Sequence, residues 1–311
     1  MDARQLEYFV TIVDEGGFHR AAERLHVAQP SLSQAVRTLE RDVGVALFHR
    51  LGRRAVLTEA GRAMLEPARQ VLRDLDTTRA SVESVQGLRS GRVQLAVLPS
   101  QWVQPLTAMI GRFHAECPDV LVSVQPAFTP SDAADLVRGG RSELGLIGAA
   151  EDFALPGLRS RLVERQRFVV VTAPGGPWEA DRAVLRRADL AGQRVITSPE
   201  GNRMRHVVDE IIAQGVDLRI VVETAHREAI LPLVLAGTGI AVLTAGWAEF
   251  ARAAGARVLD LEPVAELRIS LIHRPAPLTP AAQRFLDLAL AREELGPASE
   301  EPAPGRDELG R

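Results

Sequence analysis

The sequence predicts a multidomain α+β protein in which a small helical domain, a long helix and a larger α/β region follow one another. Two amphipathic stripes lie close together near the start of the chain, over residues 18–25 and 32–43. A longer helical stripe covers residues 64–85. After residue 91, strands alternate with helices, a pattern typical of α/β domains with a largely parallel sheet.

Composition indicates an intracellular protein with enough chain for two or three domains. Of the 311 residues, 46% are hydrophobic, but no apolar run reaches the length of a membrane span. The N-terminus lacks the basic and apolar segments of a secretion signal. The single cysteine, Cys117, excludes an internal disulfide and is expected to be a buried apolar residue. We therefore expect a cytoplasmic protein without contact to a membrane.

The first domain is predicted to contain three helices, of which the last two form a helix-turn-helix. Apolar residues recur at i, i+3, i+4 and i+7 in both stripes, and an earlier stripe completes a small core. Pro30 suits the first turn of the last helix. Because so few residues separate them, these two helices must cross rather than run parallel. The apolar positions are Leu6, Phe9, Val10 and Val13, then Phe18, Ala21, Ala22 and Leu25, then Leu32, Ala35, Val36, Leu39 and Val43.

A hairpin with arginines at its tip is predicted to follow these helices. The run ALFHRLGRRAVLT has two short apolar segments around a glycine turn, where Arg53 and Arg54 stand. Three helices and a hairpin make a winged helix-turn-helix. The whole chain carries a net charge of −3, but residues 16–58 hold seven arginines and three acids, so their local charge is 7 − 3 = +4. That charge fits a phosphate-facing surface or a solvated face, and charge alone leaves both open.

The pattern of the second motif helix favours the phosphate-facing surface. If Leu32, Val36 and Leu39 are buried, polar side chains project from the opposite face, with short ones near the start and arginines later. That order suits contacts to base edges first and to phosphates afterwards. We expect the DNA contacts to be Phe18, His19, Arg20, Gln29, Pro30, Ser31, Ser33, Gln34, Arg37, Arg50, Arg53 and Arg54.

The run FHRAAERLHVAQPSLSQAV, followed in order by GVALFHR and LTEAG, resembles the DNA-binding domain of the LysR-type transcriptional regulators. The resemblance is dense up to residue 60 and looser beyond it. Serine is common in that family where Gly17 and Ala28 stand. Alanine has no side-chain oxygen to cap the second motif helix, so this helix is expected to be about 1 kcal/mol less stable than one with a serine cap. Arginine is common where Gln34 stands, so the resemblance leaves the operator sequence open, but not DNA binding.

The long stripe predicts a helix that pairs with a second copy of the chain. Its apolar positions follow a 4-3 spacing over three heptads, which marks helix pairing. The alternative is one helix packed on its own domain. Thr58 suits the N-cap, and Pro67 either bends the helix or marks its true start. The resemblance also implies a dimerising linker helix, whose seam we expect to include Met64, Val71, Leu75 and Val82.

The α/β region is predicted to form two similar lobes with a ligand between them. The segments LVRGGRSELGLIG and LVLAGTGIAVLT each join a helix end, a glycine break and a buried strand. Ligands of such folds lie in a crevice at the strand ends. The resemblance implies the same layout, similar to periplasmic binding proteins. Predicted strands cover residues 93–98, 120–125, 144–147, 168–172, 194–197, 219–223, 240–243 and 268–273.

These patterns divide the chain into four parts. They are a winged domain (1–58), a linker helix (59–90), an effector domain (91–295) and a disordered tail (296–311). Within the effector domain, lobe 1 is expected to comprise residues 91–163 and 267–295, and lobe 2 residues 164–266.

Five polar residues are candidates for contacts to the effector. Each stands where a predicted strand ends and a helix begins, so backbone N–H groups converge near it. The resemblance supports three of them, Ser100, Thr129 and Asn202, as matching pocket positions, while a role as an ordinary helix cap stays equally open. Arg203 and Arg205 would suit a carboxylate-bearing effector. The five candidates are Ser100, Thr129, Ser198, Asn202 and His226.

Other classes of protein fit the sequence less well. It has no GxSxG, no GxxxxGK[ST] and no histidine pair at metal spacing, so we expect no catalytic residues, no metal and no cofactor. A secreted solute-binding protein would explain the two lobes, but it needs an export signal and has no use for an arginine-tipped wing. A cytosolic two-lobed small-molecule-binding protein without regulatory DNA binding is the alternative. We expect a regulator that binds double-stranded DNA and a small-molecule effector. The resemblance implies a homodimer, a homotetramer and, for an activator, contact with RNA polymerase.

Overall fold

The computed structural model of the protein describes residues 1–49, 55–84, 91–149 and 153–291, and the side chains of the long helix up to residue 78. Several predicted features lie outside the described residues. They are Arg50, Arg53 and Arg54 of the wing tip, the side chain of Val82, and the tail 296–311.

The N-terminal domain is a winged helix-turn-helix, as predicted. Its elements are α1 (Ala3–Glu15), α2 (Phe18–Arg24), α3 (Gln29–Val43) and the antiparallel strands β1 (Phe48–His49) and β2 (Val56–Leu57). The rings of Phe9 and Phe18 each lie 5.4 Å from that of Phe48. Glu40 accepts hydrogen bonds from the backbone N–H groups of Leu47, at 2.8 Å, and Phe48, at 3.3 Å. The wing is therefore attached to α3 by both apolar packing and hydrogen bonds.

A single long helix, α4 (Glu59–Ser84), leaves this domain. The hydroxyl of Thr58 accepts a hydrogen bond from the N–H of Gly61 at 3.0 Å, which caps the helix start. Pro67 lies well inside the helix, in its third turn, so the interpretation that Pro67 marks the start is wrong.

The remaining residues form an α/β region with six helices and ten strands in the described ranges. The helices are α5 (Thr107–Glu116), α6 (Pro130–Arg138), α7 (Arg203–Ala213), α8 (Ile230–Leu235), α9 (Ala248–Ala253) and α10 (Pro280–Leu290). The strands are β3 (Arg92–Val97), β4 (Leu121–Pro126), β5 (Leu144–Ala149), β6 (Arg159–Thr172), β7 (Val184–Arg186), β8 (Arg194–Thr197), β9 (Arg219–Glu223), β10 (Ile240–Thr244), β11 (Arg257–Glu262) and β12 (Glu266–His273).

Two long strands join the lobes and run antiparallel to their neighbours. The strand order is β4-β3-β5-β12-β6-β10-β8-β9. Strands β4, β3 and β5 are parallel, as are β10, β8 and β9, but β12 and β6 are antiparallel to each other and to the strands beside them. The expected parallel pairing therefore holds for β4, β3 and β5 in lobe 1 and for β10, β8 and β9 in lobe 2. It fails for β12 and β6, which connect the lobes, and for β11, which pairs antiparallel with β6. Strand β6 exchanges partners between Arg167, opposite β12, and Phe168, opposite β10.

Each lobe has buried helices and strands around its own sheet. Val93, Leu95 and Phe113 are buried in lobe 1, and Val195, Val207 and Ile230 in lobe 2. Cys117 is buried as predicted, and burial raises the pKa of its thiol. Within the described ranges, no helix is long and apolar enough to span a bilayer.

Candidate nucleic-acid interface and interlobe ligand site

Helix α3 has one buried face and one exposed polar face. Leu32, Val36 and Leu39 are buried in the domain core. The predicted DNA contacts Gln29, Pro30, Ser31, Gln34 and Arg37 are exposed, while Ser33 is half-buried. Pro30 lies in the first turn. The structure thus brings these residues together on one end and side of a single helix.

The two motif helices begin without side-chain caps. Gly17 precedes α2 and Ala28 precedes α3, and neither contributes a capping hydrogen bond. Free backbone N–H groups at both helix starts are suited to bind phosphate oxygens. In the turn between the helices His26 adopts a left-handed φ of 53°, which few residues other than glycine adopt.

The three predicted contacts at the start of α2 differ in accessibility. His19 and Arg20 are exposed, and Nδ1 of His19 lies 3.4 Å from the carboxylate of Glu23. Phe18 is half-buried against Phe48, so its side chain supports the wing, and its backbone stands at the helix start. The predicted wing contacts Arg50, Arg53 and Arg54 lie between β1 and β2, outside the described residues.

The first part of the apolar stripe of α4 packs on the winged domain, and the next part is exposed. Met64 is half-buried against the core of the winged domain, where Ala68 is also buried. The alternative interpretation, packing on its own domain, therefore describes this first part of the stripe. Val71 and Leu75 are 44% and 36% exposed, so the chain itself leaves them available for a partner. Their role in dimerisation stays a prediction.

The two lobes meet around a narrow cavity of about 20 Å³, which is space for about one water molecule. Ser100 and Phe128 line it from lobe 1, and Phe168, Arg227 and Trp247 from lobe 2. A wider opening of about 530 Å³, lined by Thr129, Gly201 and Asn202 among others, lies on one side. An apolar opening of about 790 Å³ lies on the other side. Concave sites between two lobes are where small molecules usually bind.

The five predicted effector residues occupy different parts of this region. Ser100 and Asn202 line the cavity, and Thr129 lines the wider opening. Ser198 is buried and donates its hydroxyl to the Asn202 side-chain oxygen at 2.7 Å, so it holds Asn202 in place. His226 lies at the apolar opening with its side chain 79% exposed. Effector binding by each of the five stays a prediction.

Two of these residues also cap helices, the alternative role considered for each. Thr129 accepts a hydrogen bond from the N–H of Asp132 at 3.1 Å at the start of α6. Asn202 accepts one from the N–H of Arg205 at 3.2 Å at the start of α7, and donates its amide to the carbonyl of Pro199 at 2.6 Å. Because the amide of Asn202 is already engaged, its main effect is to orient the start of α7 toward the cavity.

The arginines beside Asn202 are neutralised within the protein. Arg203 lies 2.6 Å from Glu210, and Arg205 lies 2.8 Å from Asp209 and also pairs with Glu223. Pairing with Asp209 raises the pKa of Arg205. These two side chains therefore have carboxylate partners already, which weakens their assignment as the site of a carboxylate-bearing effector.

Among the residues of the cavity that the sequence analysis did not predict are Arg227, Thr244 and Trp247. Thr244 ends strand β10, and Trp247 follows it within three residues, so the same strand-end argument could have found both. Arg227 follows the predicted residue His226 in the same turn. The strand-end signal identified that loop, but successive residues of a turn point in different directions, and the sequence pattern does not say which one faces the cavity.

No cluster of histidine, cysteine and carboxylate side chains suited to a metal ion occurs among the described residues.

Two family models match the chain, one at the N-terminal domain and one at the α/β region. Residues 3–62 match the family described as "Bacterial regulatory helix-turn-helix protein, lysR family", and residues 86–294 match "LysR substrate binding domain".

Curated relatives resemble the chain over most of its length. It is 30% identical to a probable RuBisCO transcriptional regulator from Synechocystis sp., over 85% of this chain and 77% of that one. It is 28% identical to the DNA-binding transcriptional dual regulator OxyR from Escherichia coli, over 94% of each chain.

Solved structures have the same fold at lower identity. A full-length OxyR variant from Pseudomonas aeruginosa is similar with a TM-score of 0.73 and 21% identity, over 97% of this chain and 99% of that one. Full-length CbnR in complex with its target DNA is similar with a TM-score of 0.65 and 24% identity, over 94% of this chain and 99% of that one.

Proposed function

This chain belongs to the LysR family of DNA-binding transcriptional regulators, and we propose that it reads its operator through α3 while a small molecule between its lobes changes transcription. The observation that supports operator reading is the division of α3 into a buried apolar face and an exposed face bearing Gln29, Gln34 and Arg37. Buried packing fixes the direction of the exposed side chains, so they can meet base edges and phosphates in a defined register.

The DNA-binding form is a homodimer joined through α4. Exposed Val71 and Leu75 lie one helical turn apart on the part of the helix that has left the winged domain. Apolar residues at this spacing pair with the same positions of a second helix. The resulting two-fold axis relates two copies of α3, and two such dimers would give a homotetramer. If the protein activates transcription, it also contacts RNA polymerase.

The effector occupies the cavity between the lobes, with no further cofactor or metal. Ser100 contributes a hydroxyl from lobe 1, and the start of α7 contributes backbone N–H groups from lobe 2. A ligand that touches both lobes binds more tightly to one interlobe arrangement than to others, and that difference in affinity is what shifts the population of states.

Selection of binding sites by the full-length protein tests this function. Duplexes enriched from a random pool should contain an inverted repeat whose half-sites are about 10–10.5 base pairs apart, centre to centre, or a multiple of that spacing. The Arg37→Ala variant should retain less DNA at a given salt concentration. Enrichment of no sequence by a folded, dimeric protein would contradict operator binding.

A further inference from the structure

Arg227 brings a positive charge to the interlobe cavity that the described protein does not neutralise. Its Nη1 lies 2.9 Å from the sulfur of Met204, and no carboxylate in the described ranges forms an ion pair with it. The residue keeps some solvent contact through the cavity, but burial of the guanidinium lowers the pKa of Arg227 to about 10. It is therefore a cation at neutral pH. An enclosed cation without a counter-charge is unfavourable for folding, which points to a role in binding.

The other charged residues near the cavity either have a partner of opposite charge or point into solvent. Arg203 lines the same cavity but is engaged by Glu210 at 2.6 Å. Glu228 follows Arg227 in sequence, yet its side chain is 75% exposed and lies 3.0 Å from the imidazole of His226. No acidic residue is among those that line the cavity in the described part of the chain. The cavity consequently has a net positive charge that comes from one unpaired arginine.

The rest of the cavity wall suits a small organic molecule with one anionic end. The Thr244 hydroxyl is buried and has no hydrogen-bond partner among the described residues, so it can donate to a ligand oxygen. Phe128, Phe168 and Trp247 provide apolar walls. The start of α7 also faces the cavity, and the partial positive charge of a helix N-terminus adds to that of Arg227.

We propose, on the basis of the effector site proposed above, that the effector is a small organic anion and that Arg227 binds its negatively charged oxygens. Thr244 donates a further hydrogen bond, and the aromatic walls contact the apolar part of the ligand. A carboxylate and a phosphate ester both present such oxygens, and a guanidinium can bind either through two parallel N–H donors.

Thermal unfolding of the full-length protein tests this assignment with named probes. Benzoate, acetate and inorganic phosphate are each titrated at constant ionic strength, and benzamide serves as the neutral match of benzoate. Three proteins are compared: the wild type, Arg227→Met, and Arg219→Met, which removes the same charge from an exposed position of β9 in the same lobe. A preference for benzoate and acetate indicates a carboxylate effector, whereas a preference for phosphate indicates a phosphate ester.

We expect at least one of these anions to raise the unfolding temperature of the wild type in a saturable way, and benzamide to have no such effect. Arg227→Met should bind that anion about 10-fold to 100-fold more weakly, as expected for the loss of a charge-assisted hydrogen bond. Arg219→Met should respond like the wild type. Without added anion, Arg227→Met should unfold at the same temperature as the wild type or higher, because an uncompensated cation has been removed.

Several outcomes would overturn the proposal. They are equal anion responses in the wild type and Arg227→Met, an equal response to benzamide, or no saturable response to any of the three anions. If operator selection succeeds and the anion response is absent, only this inference is wrong. If the anion response depends on Arg227 but no operator is selected, the inference stands and the proposed function is wrong.

Discussion

Arg69 of α4 donates a hydrogen bond to the carbonyl oxygen of Gly139 at 3.1 Å, across the boundary between the linker helix and lobe 1. The same guanidinium pairs with Asp14 of α1 and lies 3.1 Å from Glu66. One nearly buried arginine, 9% exposed, therefore touches the winged domain, the linker helix and the effector domain. Gly139 follows α6, whose N-cap residue is Thr129 beside the interlobe opening. Helix α6 thus connects the ligand region with the base of the DNA-binding domain.

Replacing Arg69 with methionine should loosen this connection while both domains stay folded. Loss of the hydrogen bonds of this largely buried arginine should lower the free energy of unfolding by about 1 kcal/mol. The loss is this small because Asp14 is partly exposed, so water can hydrate its carboxylate in the variant. We expect faster amide hydrogen exchange at the end of α6 and in α1. Arg62→Met is the matched control, since Arg62 is exposed on α4 and donates to the carbonyl of Leu57 in its own domain. Equal exchange in the two variants would show that Arg69 does not couple the domains.

Local periodicity explains why much of the fold could be predicted from the sequence. The buried stripes of α1, α2 and α3 are complete within each helix, and central strands such as β10 are continuous apolar runs. The same signal does not reveal the first part of β6, because residues 159–167 are mostly polar and are held by main-chain pairing to β12. The short strand β7 and the half-buried strand β11 likewise carry little hydrophobic signal.

The site was less predictable because side-chain direction and charge pairing depend on tertiary contacts. Arg205 and Asp209 stand four residues apart on one helix, a spacing that the sequence shows, but nothing in the sequence pairs Arg203 with Glu210 seven residues away. Met64 shares its spacing with the exposed stripe of α4, yet the winged domain covers it. A one-dimensional pattern gives the face of an element and does not identify the partner that covers it.

His273 should make the stability of the effector domain depend on pH near neutrality. It is 8% exposed, whereas the other six histidines of the chain are exposed. Burial is the main cause that lowers the pKa of His273, and repulsion from Arg159 and Arg161 lowers it further. The unfolded chain therefore binds a proton more readily than the folded one. The contribution of neutral His273 to the free energy of unfolding is fully present above the pKa of histidine in the unfolded chain, about 6.5. It is lost as the pH falls from that value through the lower pKa of the folded protein.

His273→Gln removes this titration and still offers an amide donor to the carbonyl of Arg274, which Nδ1 of the histidine contacts at 2.7 Å. Unfolding temperatures measured between about pH 7.5 and about pH 5.5 should fall more steeply for the wild type than for the variant. His114→Gln, at an exposed position of α5, should follow the wild type. Parallel curves for the wild type and His273→Gln would contradict the assignment.

Leu75→Glu should separate dimerisation from folding. Leu75 is 36% exposed in the single chain, so a charge there should change the stability of the protomer by no more than about 0.5 kcal/mol. In a paired α4 the same charge would face its symmetry mate across an apolar seam and weaken the dimer. Sedimentation velocity should show a shift toward monomer, with Ala63→Glu on an exposed position of the same helix as the control. A fully dimeric Leu75→Glu protein that still protects both half-sites would place the dimer contact elsewhere.

The polar residues at the start of α3 should determine which bases are preferred. Gln34 is exposed one residue after half-buried Ser33, and Gln29 is exposed at the first position of the helix. A glutamine that pairs with adenine contributes about 1–3 kcal/mol of discrimination against other bases. Gln29→Ala or Gln34→Ala should therefore relax the base preference at symmetric positions of the selected operator. Arg37→Ala should instead weaken all sequences alike and lower the dependence of log affinity on log salt by about 1, because a phosphate contact releases counterions.

The control for this last prediction is Gln283→Ala, which removes an exposed glutamine from α10 in the effector domain and should leave both properties unchanged. Site selection and salt titration on the four variants separate base contacts from phosphate contacts, because sequence preference and salt slope report different interactions. A changed preference with an unchanged slope identifies a base contact, and the reverse identifies a phosphate contact. Unchanged preference in both α3 glutamine variants, with folding and dimerisation intact, would mean that other residues of the winged domain read the operator.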